Sequence, residues 1–246
     1  MPILAANWKM YKTVAEAEVW LGAVAGRPEL ELAEVVVFPP LTALHVLRGS
    51  GLGLGAQDVG WATEGAFTGM VSAPQLRDAG CAYALVAHSE RRRYAGEDDR
   101  MAARKIAALW QAGLTPVYCV GEDAAERAAG QGEARLRLQV DTVLDSLGDE
   151  LGGRLVIAYE PVWAIGSGTP ATAEQAGEAL ALIRERVVGR CGGAAAARLS
   201  LLYGGSTSPA SAGGFMEQPI IDGLLVGSAS LDANSFLAML EVMVHA

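Results

Sequence analysis

The chain has 246 residues, 51% of them hydrophobic, and a formal net charge of -9. Lys and Arg are outnumbered and form no basic tract beyond Arg91-Arg92-Arg93, which argues against a nucleic-acid partner, and no stretch nears the ~18 apolar residues of a membrane span. The three cysteines make no Cys-x-x-Cys pair, and MPILAANWKMYKT lacks a signal peptide's basic start and long apolar core, so a reducing cytoplasm is expected.

The first short apolar run, Ile3 to Ala6, is followed by runs at Glu34 to Phe38, Leu52 to Ala56, Tyr83 to Ala87, Thr115 to Val120, Leu155 to Tyr159, Arg198 to Tyr203 and Gly223 to Val226. In Leu155 to Tyr159, Val and Ile stand side by side, the pattern of a strand covered on both faces, and Pro161 ends its ladder for want of an N–H. Between the runs lie helical patterns. Gly113 closes a helix ending at Ala112, Leu136, Val140, Val143 and Leu147 share a face, Thr172 with Gln175 forms a capping box ahead of Ala176, Leu180, Ile183 and Val187, and Ser208-Pro209 reads as N-cap and first helical residue. Eight strand–helix units of roughly thirty residues fit the ~250 residues of a (β/α)8 barrel, so an α/β fold with one barrel domain spanning 1–246 is expected. The alternative is a doubly wound open sheet, but its GxGxxG fingerprint is missing after the first strand, and GLGLG at Gly51 to Gly55 only imitates it.

In a barrel the reacting groups gather at the carboxyl ends of strands. Those ends carry Asn7 and Lys9 after the first run, His88 after the fourth, Glu160 after the sixth, and glycine-rich turns after the last two. Taken alone, a strand-end Glu or Lys is more often a solvated charge, and a lone His a satisfied core or surface residue. Of the three histidines only His88 lies at a strand end, and no spacing of His, Cys, Asp and Glu matches a metal site. Lys9, beside Trp8, fits either an electrostatic clamp for an anion or a Schiff-base amine. YGGST at Tyr203 to Thr207 and LLVGSAS at Leu224 to Ser230 allow close approach of backbone N–H groups to a phosphate, at the two strands where phosphates often sit in this fold.

NWKMYK, AQDVGWATEGAFTGMVS, VAHSERR, CVGE, AYEPVWAIGSG, YGGST and LLVGSASL occur in an order that resembles the triosephosphate isomerase family over essentially the whole chain. The resemblance implies a (β/α)8 TIM barrel, interconversion of dihydroxyacetone phosphate and glyceraldehyde 3-phosphate without metal or organic cofactor, and a homodimer. It implies Glu160 as the base, His88 as the electrophile polarising the carbonyl, and Lys9 with Asn7 stabilising the enediolate. In the same way Glu90 is a partner of Lys9, and Ser89 a resting contact of the Glu160 carboxylate. Pro161 to Thr169 is implied as a closing lid with Trp163 at its hinge, and Gly166, Ser206, Gly227 and Ser228 as backbone donors to the phosphate. GAFTG, Gly65 to Gly69, resembles the dimer loop, with Thr68 entering the partner subunit, although Phe67 and Met70 could instead fold back on their own barrel. The chain departs from the family pattern at Ala87 and Ser228, where glycines are usual, and at Thr169-Pro170. Rival readings are a Schiff-base aldolase acting through Lys9 and a sugar-phosphate sensor on an inactive barrel.

Overall fold

In the computed structural model each apolar run forms a strand: β1 Ile3–Asn7, β2 Glu34–Phe38, β3 Gly53–Ala56, β4 Tyr83–Val86, β5 Thr115–Val120, β6 Leu155–Tyr159, β7 Leu199–Tyr203 and β8 Gly223–Val226. The structure describes residues 1–148, 151–164, 170–196 and 198–245. All neighbouring strands are parallel, and β8 returns to β1 with Gly223 opposite Ile3, closing the sheet in chain order. That closure excludes the open doubly wound sheet, which keeps two free edges.

Parallel neighbours require long crossovers. These contain α1 Val14–Val24, α2 Leu44–Leu47, α3 Ala73–Asp78, α4 Ser89–Ala95, α5 Asp99–Gln111, α6 Ala124–Ala128, α7 Gly132–Leu147, α8 Ala173–Cys191, α9 Gly193–Ala196 and α10 Pro209–Met216, with α11 Ala233–His245 after the last strand. The expected caps form. Thr172 and Gln175 bond reciprocally at the start of α8, Ser208 precedes Pro209 at the start of α10, and Gly113, at φ 73, follows the last turn of α5.

Strand side chains alternate between two cores. Ala5, Phe38, Leu85, Val117, Val156 and Leu202 meet inside the barrel, whereas Leu4, Val37, Val86, Ile157 and Leu201 face the helices. The predicted faces of α7 and α8 are buried there, except that Leu147 is only partly covered. Each fully buried Leu, Ile or Val contributes about 1.5–3 kcal/mol.

The amino ends of β2, β4 and β6 carry a polar cluster: Arg154 grips Glu34 with two bonds of 2.7 and 2.8 Å, and the Tyr83 hydroxyl donates to the same carboxylate. The arginine run is likewise part of the scaffold. Arg91 pairs with Asp58 at 2.7 Å, Arg92 with Asp99 at 2.6 Å, and Arg93 lies over Tyr94. Among the described residues, no helix is long and apolar enough to cross a membrane.

Candidate active site

At the carboxyl end of β1, Lys9 adopts φ 51, a left-handed conformation that costs an L-residue about 1–2 kcal/mol. Two side chains hold it there. Asn7 accepts the Lys9 N–H at 2.9 Å, and the Gln57 amide donates to the Lys9 carbonyl at 2.7 Å and to the Phe38 carbonyl at 2.9 Å. Lys9 thus holds a fixed backbone, with its Nζ donating to Glu90 Oε1 at 2.8 Å.

His88 is placed by a second left-handed residue, Ala87 at φ 55. The buried Glu97 carboxylate accepts the Ala87 N–H at 2.8 Å while Arg92 Nε donates to the Ala87 carbonyl at 2.9 Å, so the peptides flanking Ala87 are gripped from both sides. A carboxylate buried this deeply needs a partner, and Lys105 supplies it at 2.7 Å. This clamp explains how alanine is tolerated where a glycine would be unstrained.

His88 also caps α4, its Nδ1 accepting the Glu90 N–H at 3.2 Å. That bond assigns the ring proton to Nε2, which faces Glu160 Oε1 at 2.9 Å. Burial lowers the His88 pKa and the Glu160 carboxylate raises it, the carboxylate prevailing while the two are in contact. A second ring proton would have to displace the amide at Nδ1, at the positive end of a helical turn. Without the carboxylate alongside, burial and amide together favour the neutral imidazole.

Glu160 is only 3% exposed, not a solvated terminal residue. Its Oε2 accepts the Ser89 N–H at 2.8 Å, and the Ser89 hydroxyl lies 3.3 Å from Oε1. Burial raises its pKa, but His88 and the Ser89 N–H bring it below the ordinary value of 4.5. Its stem lies against the start of the strand-seven turn, where a Cβ on Gly204 would stand 3.0 Å from Glu160 Cγ.

Asn7, Lys9, His88, Glu160, Ser206, Gly227 and Ser228 line one cavity of about 330 Å³. Ser228 and Ala229 open a 3₁₀ turn capped by Gly227, and the first N–H groups of such a turn have no partner within it. Ser228 has no positive φ, so its Cβ introduces no backbone strain. Gly204, Gly205, Thr207, Leu225 and Ala229 of this lining belong to the two glycine-rich turns marked in the sequence without a role of their own there, whereas Gln57 was not marked as a site residue. Gln57 was findable, being among the first polar residues after β3.

Gly166 and Thr169 lie outside the described residues, as does residue 168 of the implied lid. Trp163, implied at the hinge of that lid, is half-buried in a 3₁₀ turn. Its indole N–H donates to Glu122 at 2.8 Å, and the Arg127 guanidinium sits 3.9 Å from its ring centroid. Phe67 and Thr68 are exposed at the tip of their loop, although Phe67 also packs edge-on against Trp61 of the same loop, with centroids 5.5 Å apart. Neither lines the cavity. Among the described residues, no group of three or more His, Cys, Asp or Glu side chains is placed to hold a metal ion.

A closed parallel barrel with a carboxylate, an imidazole, an ammonium and glycine-rich turns at its carboxyl end defines the class: a (β/α)8 barrel of the enzyme type. The family model described as "Triosephosphate isomerase" matches residues 2–243. Proteins described by that name include those of Moorella thermoacetica, 46% identical over 98% of both chains, and Roseiflexus castenholzii, 45% identical over 98% of this chain and 97% of its own. That of Xanthomonas axonopodis pv. citri is 47% identical over 96% of each. The chain belongs to the triosephosphate isomerase family.

Proposed function

We propose that the protein interconverts dihydroxyacetone phosphate and D-glyceraldehyde 3-phosphate by proton transfer through an enediolate. The observation that carries this reading is the buried Glu160–His88 contact of 2.9 Å within the cavity that also holds Lys9 and the two glycine-rich turns. The Glu160 carboxylate leaves its resting bonds to Ser89 and takes a proton from the carbon next to the carbonyl. The C–H electron pair forms the carbon–carbon double bond, and the carbonyl oxygen becomes the oxyanion. Neutral His88 offers its Nε2–H to that oxygen, and the Lys9 ammonium, held by Asn7 and Gln57, stabilises the developing charge. The hydroxyl proton on the first carbon passes to that oxyanion by way of His88 Nε2, and Glu160 returns its proton to the former carbonyl carbon as the first carbon's oxygen becomes the new carbonyl, with no net change in the protein. The backbone N–H groups of Ser206, Gly227, Ser228 and Gly166 are assigned to the phosphate.

Lys9 Nζ donates to a carboxylate at 2.8 Å instead of being presented as a free amine, which favours the electrostatic role over an aldolase Schiff base. Incubation with dihydroxyacetone phosphate and a coupled glyceraldehyde-phosphate dehydrogenase tests the reading. Sustained aldehyde formation is expected, and its absence from the folded protein would overturn it.

His88→Gln is expected to lower turnover by roughly 10²-fold while inhibition by inorganic phosphate changes little, because His88 is assigned to the reacting oxygens. The variant should also move the acidic limb of kcat/KM upward. His88 helps hold the Glu160 pKa below 4.5 against burial, so without it burial is less opposed and the carboxylate protonates at higher pH. A limb that stays in place or moves down contradicts this assignment.

A homodimer in the cytoplasm completes the proposal. Its support is the exposure of Met10, Leu41, Phe67 and Met70, of which Leu41 and Met70 border one groove with Asp58 and Arg91, and the burial of Cys81 and Cys119 as thiols. Sedimentation at micromolar concentration should show twice the chain mass. A monomer fully active at that concentration would contradict it.

A further inference from the structure

Gln139 takes no part in the site described above, yet its side chain is completely buried on α7. Its amide oxygen accepts the Gly121 N–H at 2.9 Å and its amide nitrogen donates to the Gly121 carbonyl at 3.1 Å. One planar amide thereby pairs with both main-chain groups of a single residue, as a neighbouring strand would. Gln139 is anchored in turn through its own carbonyl, which accepts the Tyr118 hydroxyl at 3.0 Å.

Gly121 is the first residue beyond β5, and across from it lies the backbone of Glu160. The Glu160 N–H extends the ladder by donating to the Val120 carbonyl at 2.7 Å. A Cβ on Gly121 would stand 1.7 Å from the Glu160 carbonyl oxygen and 2.7 Å from its carbon, so the two backbones are in direct contact. Gly121 is therefore a stop against which the main chain of Glu160 rests, and Gln139 fixes that stop.

We propose that Gln139 is a positioning residue for Glu160, acting through the Gly121 peptide groups. The proposal rests on the reading of Glu160 as the base. A proton-transferring carboxylate has to reach the substrate carbon with little error, and a misplacement near 1 Å can cost about 10²-fold in rate. A Glu side chain that swings between Ser89 and the substrate takes its reach from its own Cα. Only a side chain with donor and acceptor in one plane can hold Gly121 at both groups, and Asn on the same turn is one methylene shorter.

The test compares Gln139→Met, which keeps the length and removes both bonds, with Gln139→Glu, which is isosteric and keeps an acceptor for the Gly121 N–H. On the folded fraction, judged by circular dichroism, Gln139→Met is expected to lower kcat by about 10- to 100-fold. KM and the inhibition constant for inorganic phosphate should stay within about twofold, since the phosphate turns are untouched. Gln139→Glu is expected to lose less, and it carries the test if Gln139→Met does not fold. In a Glu160→Gln background Gln139→Met should cost no further turnover, because its effect passes through the carboxylate. If Glu160→Gln alone retains turnover, the reading of the base fails. If Glu160→Gln abolishes turnover while the folded Gln139 variants keep the parent kcat and lose only thermal stability, Gln139 merely satisfies two buried backbone groups and the positioning proposal is overturned.

Discussion

Glu160→Gln is expected to fold as the parent does and to lose about 10²- to 10⁴-fold or more in turnover, the scale of a missing general base. The amide keeps the volume of a side chain that is only 3% exposed and can still accept the Ser89 N–H, so the packing around it survives. It also relieves the burial of a charge, which offsets loss of the pairing with His88. What it cannot do is take a proton from carbon. Turnover measured beside a thermal melt separates the two effects: an unchanged melt with turnover near that of the parent would remove Glu160 from the chemistry.

Lys9→Met should have the second-largest effect, lowering kcat by about 10²- to 10³-fold and raising KM as well. The chain carries a net charge of -9, so attraction of an anionic substrate depends on charge focused at the cavity, where among the described residues Lys9 is the sole Lys or Arg in the lining. The expected change in kcat follows from assigning the ammonium to charge that develops only in the transition state. The fold should tolerate the loss, because the Glu90 side chain left behind is 44% exposed and remains solvated. Lys9→Arg should not restore activity: a Cβ on Gly227 would already stand 3.2 Å from Lys9 Cε, leaving little space for a planar guanidinium. A rise in KM with kcat unchanged would confine Lys9 to binding.

Much of this architecture was legible because it rests on local signals. The eight apolar runs coincide with strands to within a residue at either end, since short runs rich in Val, Ile and Leu fit a sheet covered on both faces. Asn7, Lys9, His88 and Glu160 stood out as polar residues at strand ends, where a barrel turns from core to mouth. The same signal marked Gln57 after β3 and Glu122 after β5, although neither was singled out as a site residue. Glu97, Lys105 and Gln139 carry no such signal. They sit among ordinary helix and loop residues, and their burial is explained only by partners brought near by the fold: Ala87 for Glu97, Asp58 for Lys105 and Gly121 for Gln139. The partners of Trp163 were hidden for a related reason. Its sequence neighbours Val162 and Ala164 carry no polar partner for the indole, whereas Glu122 and Arg127, which cover it, lie roughly forty residues earlier.

The central claim is that Glu160 carries a proton between adjacent carbons of a triose phosphate. Its most direct test is to run the isomerisation in deuterium oxide through many turnovers and to read carbon-bound deuterium by NMR in the recovered substrate and product. Abstraction by a carboxylate predicts that solvent deuterium enters at the carbon next to the carbonyl, and that Glu160→Gln suppresses this exchange together with turnover. Isomerisation without any deuterium at carbon, as in a direct hydride shift, would contradict the account.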